Sequence, residues 1–487
     1  MQKLPTKLYT AAQVRELDRI IIKEYGIPGI ELMSRAGNAV FRHLRIKWPN
    51  TKTICVFCGS GNNAGDGYII AGLALGVGLK VTVYALSDPE SLKDNARIAY
   101  QDYSKANGTV TLFQADHVIK ADVIIDAMLG TGLSKPVAGL YAEAIQAINK
   151  SQSRVIAVDV PSGLNSDTGS VMGCAVKALS TVTFMGLKKG LYTGAAADYC
   201  GEIFYSSLSV PKDVFNRVAT TTSRVIKKTI PPRARCAHKG DHGHVLIIGG
   251  DRGYSGAARM AGEAALRVGA GLVSIATHPE HAALLNIGRP ELMCHGVDNA
   301  DQLSHLLDKA KAIVVGPGLG QSKWAAELFI AAIKSAKMLV VDADGLNFLS
   351  HVPEKHSNWV LTPHPGEAAR LMHCATVDLQ QDRYAAVAAI QAKYNGIAVL
   401  KGAGTLIASN DELAVSTTGN PGMASGGMGD VLAGVIAGLM AQGYSLKDAA
   451  QQGVYLHGMA ADLAAEQSGE RGLLASDLMP YLRQLVN

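Results

Sequence analysis

One pattern constrains the fold of this chain more than any other. Short apolar runs end in turns rich in glycine and aspartate, and helical stretches separate the runs. The segment TKTICVFCGSG follows Pro49, and similar runs occupy 80–85, 121–126, 154–160 and 181–184. Runs this short and this continuously apolar read as strands buried on both faces. Strands alternating with helices imply a parallel sheet covered on both sides. Ahead of them, Thr10 and Gln13 form a capping box before apolar positions at helical spacing from Val14 to Ile22. The breaker GIPG and a second helix near 31–44 follow.

The rhythm stops across 220–235, TTTSRVIKKTIPPRAR, which is polar, charged and ends in a Pro-Pro step. Such a segment marks a domain boundary. The rhythm then restarts. Strands are expected at 244–248, 272–276, 312–315, 338–341, 358–361, 397–400 and 405–408, and helices at 256–268, 323–335, 383–394, 426–441, 446–466 and 475–485. The expectation is an α/β protein of two three-layer αβα domains, 1–222 and 236–487, joined by a linker over 223–235. The halves share architecture without a repeat of sequence.

Composition narrows the function. Glycine supplies 52 of 487 residues, above the usual ~7%, and aromatics only 6%. That suits strands ending in ligand-binding turns. The 46 Lys and Arg nearly balance the 41 Asp and Glu, for a net +5. No basic block stands out, so neither nucleic acid nor a membrane surface is an expected partner. The longest apolar stretches, 69–79 and 431–441, fall short of the ~17 residues of a membrane span. The start, MQKLPTKLYT, lacks the apolar core of a secretory signal, and a cytoplasmic location is expected. Of seven cysteines, Cys55 and Cys58 form a C-x-x-C inside a strand. A redox pair favours a helix start, so packing is expected.

Chemistry concentrates at the strand ends. In CGSGNNAGDG, Gly59, Gly61 and Ala64 fit a loose G-x-G-x-x-G/A turn, and no lysine follows to make a phosphate loop of the Walker type. Asn62, Asn63 and Asp66 crowd into this one turn, more polar groups than a surface turn needs. Asp126 closes VIID ahead of Gly130, Thr131 and Gly132, and Asp159 lies in VIAVDVPSG. Asn63, Asp126 and Ser162 could converge as hard oxygen donors for an alkali or alkaline-earth ion, and no Cys/His cluster suggests zinc.

The second half carries HKGDHGH, GGDRGYSGAA, VVGPGLG, VDADGLN, TPHPGE, KGAGT and TTGNPGMASGGMGDVLAG. In the last, Gly426, Gly427, Met428 and Gly429 open a long apolar helix and Asp430 follows. Free amides at a helix start favour phosphate, and an aspartate beside it is positioned as a general base. His242 and His244 should share one side of the chain entering a strand, but no third metal ligand accompanies them.

These motifs resemble two known families. LMSRAG, GSGNNAGDG, IIDAMLGTG and VDVPSGLNSDTG, in that order, resemble the YjeF N-terminal family, which epimerises hydrated nicotinamide nucleotides. HKGDHGHVLIIGG, LRVGAGLV, GPGLG, DADGLN, LTPHPGE, KGAGT and GNPGMASGGMGDVL resemble the ADP- or ATP-dependent NAD(P)HX dehydratases of ribokinase-like fold. The fused pair is similar to bacterial bifunctional NAD(P)H-hydrate repair enzymes, and the motifs span nearly the whole chain. The resemblance implies a Rossmann-like first domain and a ribokinase-like second.

It also implies roles. Asn62, Asn63, Ala64, Gly65 and Asp66 would bind hydrated NADH or NADPH, with Gly130, Thr131, Gly132, Leu133, Ser134, Lys135 and Pro136. Asp159 would be the catalytic carboxylate and Asn63, Asp126 and Ser162 the potassium ligands. Ala258, Gly318, His364 and Asp430 would contact the hydrate in the second domain, with Asp430 the base. Lys401, Gly402, Ala403, Gly404, Thr405 and Gly429 would hold the nucleotide. ADP is the expected phosphoryl donor, magnesium its expected companion, and an oligomer of identical chains the expected assembly. Two rivals stand beside this reading: a true small-molecule kinase on the same second fold, and a nucleotide-sensing scaffold that only binds.

Overall fold

The computed structural model describes residues 4–487, which divide into two compact units, 4–222 and 223–487. In the first, nine short or medium strands are cut by helices: β1 (Lys7–Tyr9), β2 (Thr53–Cys58), β3 (Lys80–Ala85), β4 (Val110–Leu112), β5 (Val123–Ala127), β6 (Arg154–Val158), β7 (Ser180–Phe184), β8 (Leu187–Lys188) and β9 (Glu202–Ser206); β10 (Thr222–Arg224) straddles the boundary in sequence. Seven of them form a parallel sheet in the order β4-β3-β2-β5-β6-β7-β9. Alternation along β2 shows why both faces are covered. Ile54, Val56 and Cys58 enter one core with Leu17, Val40 and Ile70. Cys55 and Phe57 enter the other with Ala144, Ile145 and Ile148. This is an open Rossmann-like sheet. Its order reverses between β2 and β5, and ligands of such sheets bind at that switch point.

The second unit repeats the architecture with its own strands: β11 (His244–Ile248), β12 (Leu272–Thr277), β13 (Leu292–Gly296), β14 (Ala312–Val315), β15 (Met338–Val341), β16 (Trp359–Leu361), β17 (Ile397–Leu400), β18 (Leu406–Ala408) and β19 (Leu413–Val415). They run β13-β12-β11-β14-β15-β16-β17-β18-β19, parallel up to β17 and antiparallel beyond. The switch point lies between β11 and β14. There a Cβ on Gly249 would stand 2.0 Å from the Pro317 carbonyl, so only glycine lets the two loops touch. The helix Met428–Ala441 is apolar nearly all round and packs in the core. Its Gly434 faces the Ala261 carbonyl, which an added Cβ would meet at 2.0 Å.

Most elements lie where the residue pattern puts them, and the exceptions have causes. The run over 154–160 ends as a strand at Val158, because Asp159 turns to φ +67°. The helix expected from 426 begins at Met428, because Gly427 is left-handed at φ +88°. His242 sits in a 3₁₀ turn and His244 in β11, where its Nε2 meets Ser274 Oγ at 2.9 Å, so the two do not form one face. Cys55 and Cys58 are buried, and burial pushes the Cys55 thiol up to about 12. The segment after the boundary is bound to the second unit, with Val225 donating to the Val415 carbonyl at 2.9 Å and Lys228 N to Gln452 at 2.8 Å. Among the described residues no helix is long and apolar enough to cross a membrane.

Candidate active sites

In the first unit, β2 ends in the glycine turn and the helix Asn62–Gly76 begins at once. Asn62, Asn63, Ala64, Gly65 and Asp66 therefore form its first turns, above the switch point. The loop after β5 meets them there: a Cβ on Gly130 would lie 3.6 Å from the Asn63 amide carbon. Asn63 is only 9% exposed, and its Nδ2 has no partner. Asp126, at the end of β5, accepts from Ser162 Oγ at 2.6 Å and Ser162 N at 2.8 Å, and Leu129 N donates to the same Ser162 hydroxyl at 2.8 Å. Burial lifts Asp126 to about 6, against these hydrogen bonds. Asn63, Asp126 and Ser162 thus gather around one loop. The far end of that loop differs: Ser134, Lys135 and Pro136 are exposed.

Asp159 stands one residue beyond β6 in the left-handed region, a conformation disfavoured for aspartate that a surrounding network must hold. Three donors do so at Oδ1: Lys188 Nζ, Thr183 Oγ1 at 3.1 Å and Phe184 N at 3.4 Å. Lys188 is 1% exposed and also donates to Thr183 Oγ1 at 3.2 Å and Phe184 O at 2.9 Å. Two more carboxyl groups are coupled to this pair by charge. Asp66 is pushed well above the usual carboxylate range by burial, then by Asp159 and Asp18. Asp18, from the helix Ala11–Glu24, is raised to about 6 by burial, with Lys188 opposing and Asp159 adding. Sequence reasoning singled out neither Asp18 nor Lys188. Asp18 lies in RELDR, which reads as a solvated helix face, whereas Lys188 closes the apolar run TVTFMGLK, an unusual place for a surface lysine.

The second unit gathers its own cluster. The glycine turn ahead of Met428–Ala441 places Gly429 and Asp430 in the first helical turn. Lys401, just past β17, donates to Asp342 Oδ1 at 2.8 Å and lies 3.7 Å from Glu367 Oε2. A Cβ on Gly429 would sit 3.1 Å from Lys401 Nζ. Burial opposes the Lys401 charge, but Asp342 and Glu367 outweigh it and raise the ammonium above the usual range. Burial, then Asp342, raises Asp430 to about 7 despite Lys401. Glu367 is raised by burial as well. His364 caps the helix Pro365–Met372: its Nδ1 accepts from Gly366 N at 3.0 Å and Glu367 N at 3.3 Å, while Glu367 Oε2 accepts from His364 N at 2.7 Å.

The remaining expected residues surround this cluster unevenly. Gly318 is left-handed, with its backbone against Tyr254. Gly320 N donates to Asp344 at 2.9 Å, and Asp344 in turn acts on Asp430. Ala258 is fully buried beneath the turn after β11, so a ligand would meet its backbone rather than its side chain. Gly402 and Gly404 are left-handed within the loop Lys401, Gly402, Ala403, Gly404, Thr405, and Thr405 Oγ1 donates to the Gly402 carbonyl at 3.0 Å. Asp342 and Glu367 stood in recognised motifs without a role, and His457 stood in none. The His457 ring lies behind the Met428 turn, held neutral by burial and Lys401, at about 4, while its hydrogen bond with the Met428 backbone opposes them. A cavity of about 620 Å³ lined by Pro231, Arg233, Glu263, Arg267, Arg289 and Arg483 shares no residue with either cluster.

Fold and sites define a two-site α/β enzyme, one unit with a carboxylate crevice at a Rossmann-like switch point and one with an aspartate at a glycine-rich helix start. Residues 29–190 match the family described as YjeF-related protein N-terminus, and residues 245–484 match the NAD(P)H-hydrate dehydratase family. The bifunctional NAD(P)H-hydrate repair enzyme Nnr of Coxiella burnetii is 50% identical over 99% of this chain and 100% of its own length. The protein of the same description from Escherichia coli is 41% identical over 99% and 95%. A solved ribokinase-like superfamily protein from Enterococcus faecalis V583 covers 53% of this chain and 91% of its own, with 32% identity and a TM-score of 0.50. The chain belongs to the family of bifunctional NAD(P)H-hydrate repair enzymes, and its two units are the isomerase and lyase halves of that family.

Proposed function

We propose that the first unit interconverts the two C6 epimers of hydrated NADH and NADPH at Asp159, and that the second dehydrates one epimer at Asp430 with ADP as phosphoryl donor. The observation that carries this reading is the pair of buried carboxylate–lysine clusters, each at the ligand crevice of its own sheet.

Carbon 6 of the hydrate is a hemiaminal carbon, bonded to a hydroxyl and to the ring nitrogen. The nitrogen lone pair expels the hydroxyl as water, and water readdition to the other face gives the other epimer. Asp159, with Oδ1 held by Lys188, offers Oδ2 to exchange protons with the substrate. Asn62, Asn63, Ala64, Gly65 and Asp66 line the same crevice, with Gly130, Thr131, Gly132 and Leu133 across from them. Asn63, Asp126 and Ser162 form an all-oxygen set with one formal negative charge, which fits potassium; the ion would tie their loops together.

Dehydration must expel hydroxide, a poor leaving group. Asp430 accepts the proton of the C6 hydroxyl as that oxygen takes the terminal phosphoryl group of ADP, releasing AMP. Phosphate then leaves under the push of the ring nitrogen, and loss of the C5 proton restores NADH or NADPH. The amides at Gly427, Met428 and Gly429, with Lys401, hold the phosphoryl oxygens. Gly402, Ala403, Gly404 and Thr405 cradle the rest of the nucleotide. His364, Gly318 and the backbone at Ala258 would face the hydrate. Among the described residues no group of three His, Cys, Asp or Glu side chains is arranged to hold a metal. Magnesium usually rests on substrate phosphates with one or two carboxylates, and Asp342 and Glu367 fit that need. It would supply charge neutralisation at the phosphates.

Product analysis tests the reading. The full chain with hydrated NADH and ADP should give NADH, AMP and phosphate in equal amounts. A stable phosphorylated product would make the second unit a small-molecule kinase instead.

A further inference from the structure

Lys401 can hold phosphoryl oxygens only if the turn that carries it, leading from β17 back into β18, is itself held. Its amide donates to the Pro363 carbonyl at 2.9 Å and its Nζ to Asp342 Oδ1 at 2.8 Å. The third hold is a buried guanidinium. Arg383 Nη2 donates to the Lys401 carbonyl at 3.2 Å and to the Leu400 carbonyl at 3.4 Å, while Nη1 donates to Gln380 Oε1 at 2.8 Å. Gly402 follows at φ +130°, and a Cβ there would stand 3.2 Å from both Nη atoms, so the guanidinium lies against the turn itself.

The place is a costly one for a cation. Arg383 is 1% exposed and opens the helix Arg383–Tyr394, where the positive end of the helix dipole disfavours it. Burial pushes the guanidinium down to about 10, which leaves it charged at neutral pH. For folding alone, an apolar side chain of similar volume often serves as well as a buried charge. What the guanidinium adds is a rigid planar fork that spans neighbouring carbonyls, which neither an apolar chain nor a lysine can do.

We propose that Arg383 is the positioning residue for Lys401: its fork fixes the Lys401 carbonyl and so sets where the Lys401 ammonium meets the phosphates of the nucleoside diphosphate. This rests on the dehydratase reading of the second unit. With its amide held by Pro363 and its carbonyl by Arg383, the Lys401 backbone is clamped on both sides. The ammonium is thereby kept between Asp342 and the first turn of the Asp430 helix, where a Cβ on Gly429 would lie 3.1 Å from it. A lysine set in place beforehand spares the ordering cost at binding. Arg383 acts through Lys401 and need not touch the nucleotide.

The test is a double-variant cycle on ADP affinity, measured by calorimetry in the full chain. Arg383→Lys keeps the charge and loses the fork, and should weaken ADP roughly tenfold. Gln380 is exposed and anchors Nη1, so Gln380→Ala spares the core and should weaken ADP about 2–5-fold. Placed in a Lys401→Met background, neither change should weaken ADP further, because residues that act through one another are not additive. In dehydration assays KM for ADP should rise while KM for the hydrate stays. A merely structural loss would instead lower the active fraction, and with it kcat, at unchanged KM. Tyr394→Phe is the control: it removes a buried hydrogen bond to the Leu371 carbonyl from the far end of the same helix and should leave KM for ADP alone. Should Arg383→Lys fail to fold, Gln380→Ala decides. Parental ADP affinity in the folded variants, or losses that add fully to that of Lys401→Met, would overturn the proposal alone. No ADP-dependent NADH formation by the parental chain would overturn the dehydratase reading beneath it.

Discussion

Lys188 and Lys401 occupy comparable places, each paired with a carboxylate at the ligand crevice of a parallel sheet, but they are satisfied differently. Lys188 makes hydrogen bonds with Asp159, Thr183 and Phe184 and has no donor to spare. Lys401 makes one, to Asp342, with Glu367 at 3.7 Å and the first turn of the Asp430 helix beside it. A lysine with every donor used fixes one carboxylate in place, which is what proton exchange at a held group needs. A lysine with donors in reserve beside free helix amides awaits an anion, which is what phosphoryl transfer needs. The same residue types thus serve two chemistries, and the difference lies in which donors the protein leaves unspent.

Breaking each centre should expose that difference. Asp430→Asn should lower dehydration by about 10²–10⁴-fold, measured as phosphate and NADH release, while calorimetry finds ADP affinity kept; weakened ADP binding alone would make Asp430 a binding residue. Lys188→Met strands the buried Asp159 and should cost the first unit about 3–5 kcal/mol in denaturant unfolding; a change under ~1 kcal/mol would mean the pair is not organising the site. Lys401→Met should weaken ADP roughly 10–100-fold, the scale of a charge-assisted hydrogen bond, whereas Lys188→Met should leave ADP affinity alone. The dehydration centre should also respond to pH. Asp430 must be ionised to act and is raised to about 7, so dehydration kcat/KM should climb as pH rises through about 7. The smallest effect concerns Asn63, Asp126 and Ser162. Potassium should raise the melting temperature of the first transition more than lithium at equal ionic strength, since an ion stabilises the state that binds it; equal shifts would count against a specific site.

Much of this was legible in the residues because parallel α/β sheets announce themselves locally. The buried strands are short apolar runs, and Asn63, Asp126, Asp159 and Asp430 each sit at the end of one, just past one, or at a glycine-marked helix start. What stayed hidden depends on chain packing across long separations. Asp18 is buried and coupled by charge to Asp159 only through the packing of the first helix, and nothing in RELDR distinguishes that one aspartate from its solvated neighbours. Lys188 had a local sign, its place at the end of the apolar run TVTFMGLK, but its burial depends on β8 pairing with β1. Asp342 and Glu367 stood in recognised motifs, but their shared hold on Lys401 joins loops after β15, β16 and β17. Ala258 shows the converse: its motif reads as a ligand contact, yet its methyl group is buried in packing.

The central claim is that two self-contained catalytic units act in one chain. Pure hydrated NADH epimers, followed by NMR with the full-length Asp159→Asn variant and then ADP, test it most directly, since distant sites act independently. The account predicts that epimer exchange disappears while one epimer is still converted to NADH at close to the parental rate once ADP is added, and the other epimer persists beyond its spontaneous exchange. Loss of both conversions in a protein that remains folded would contradict it.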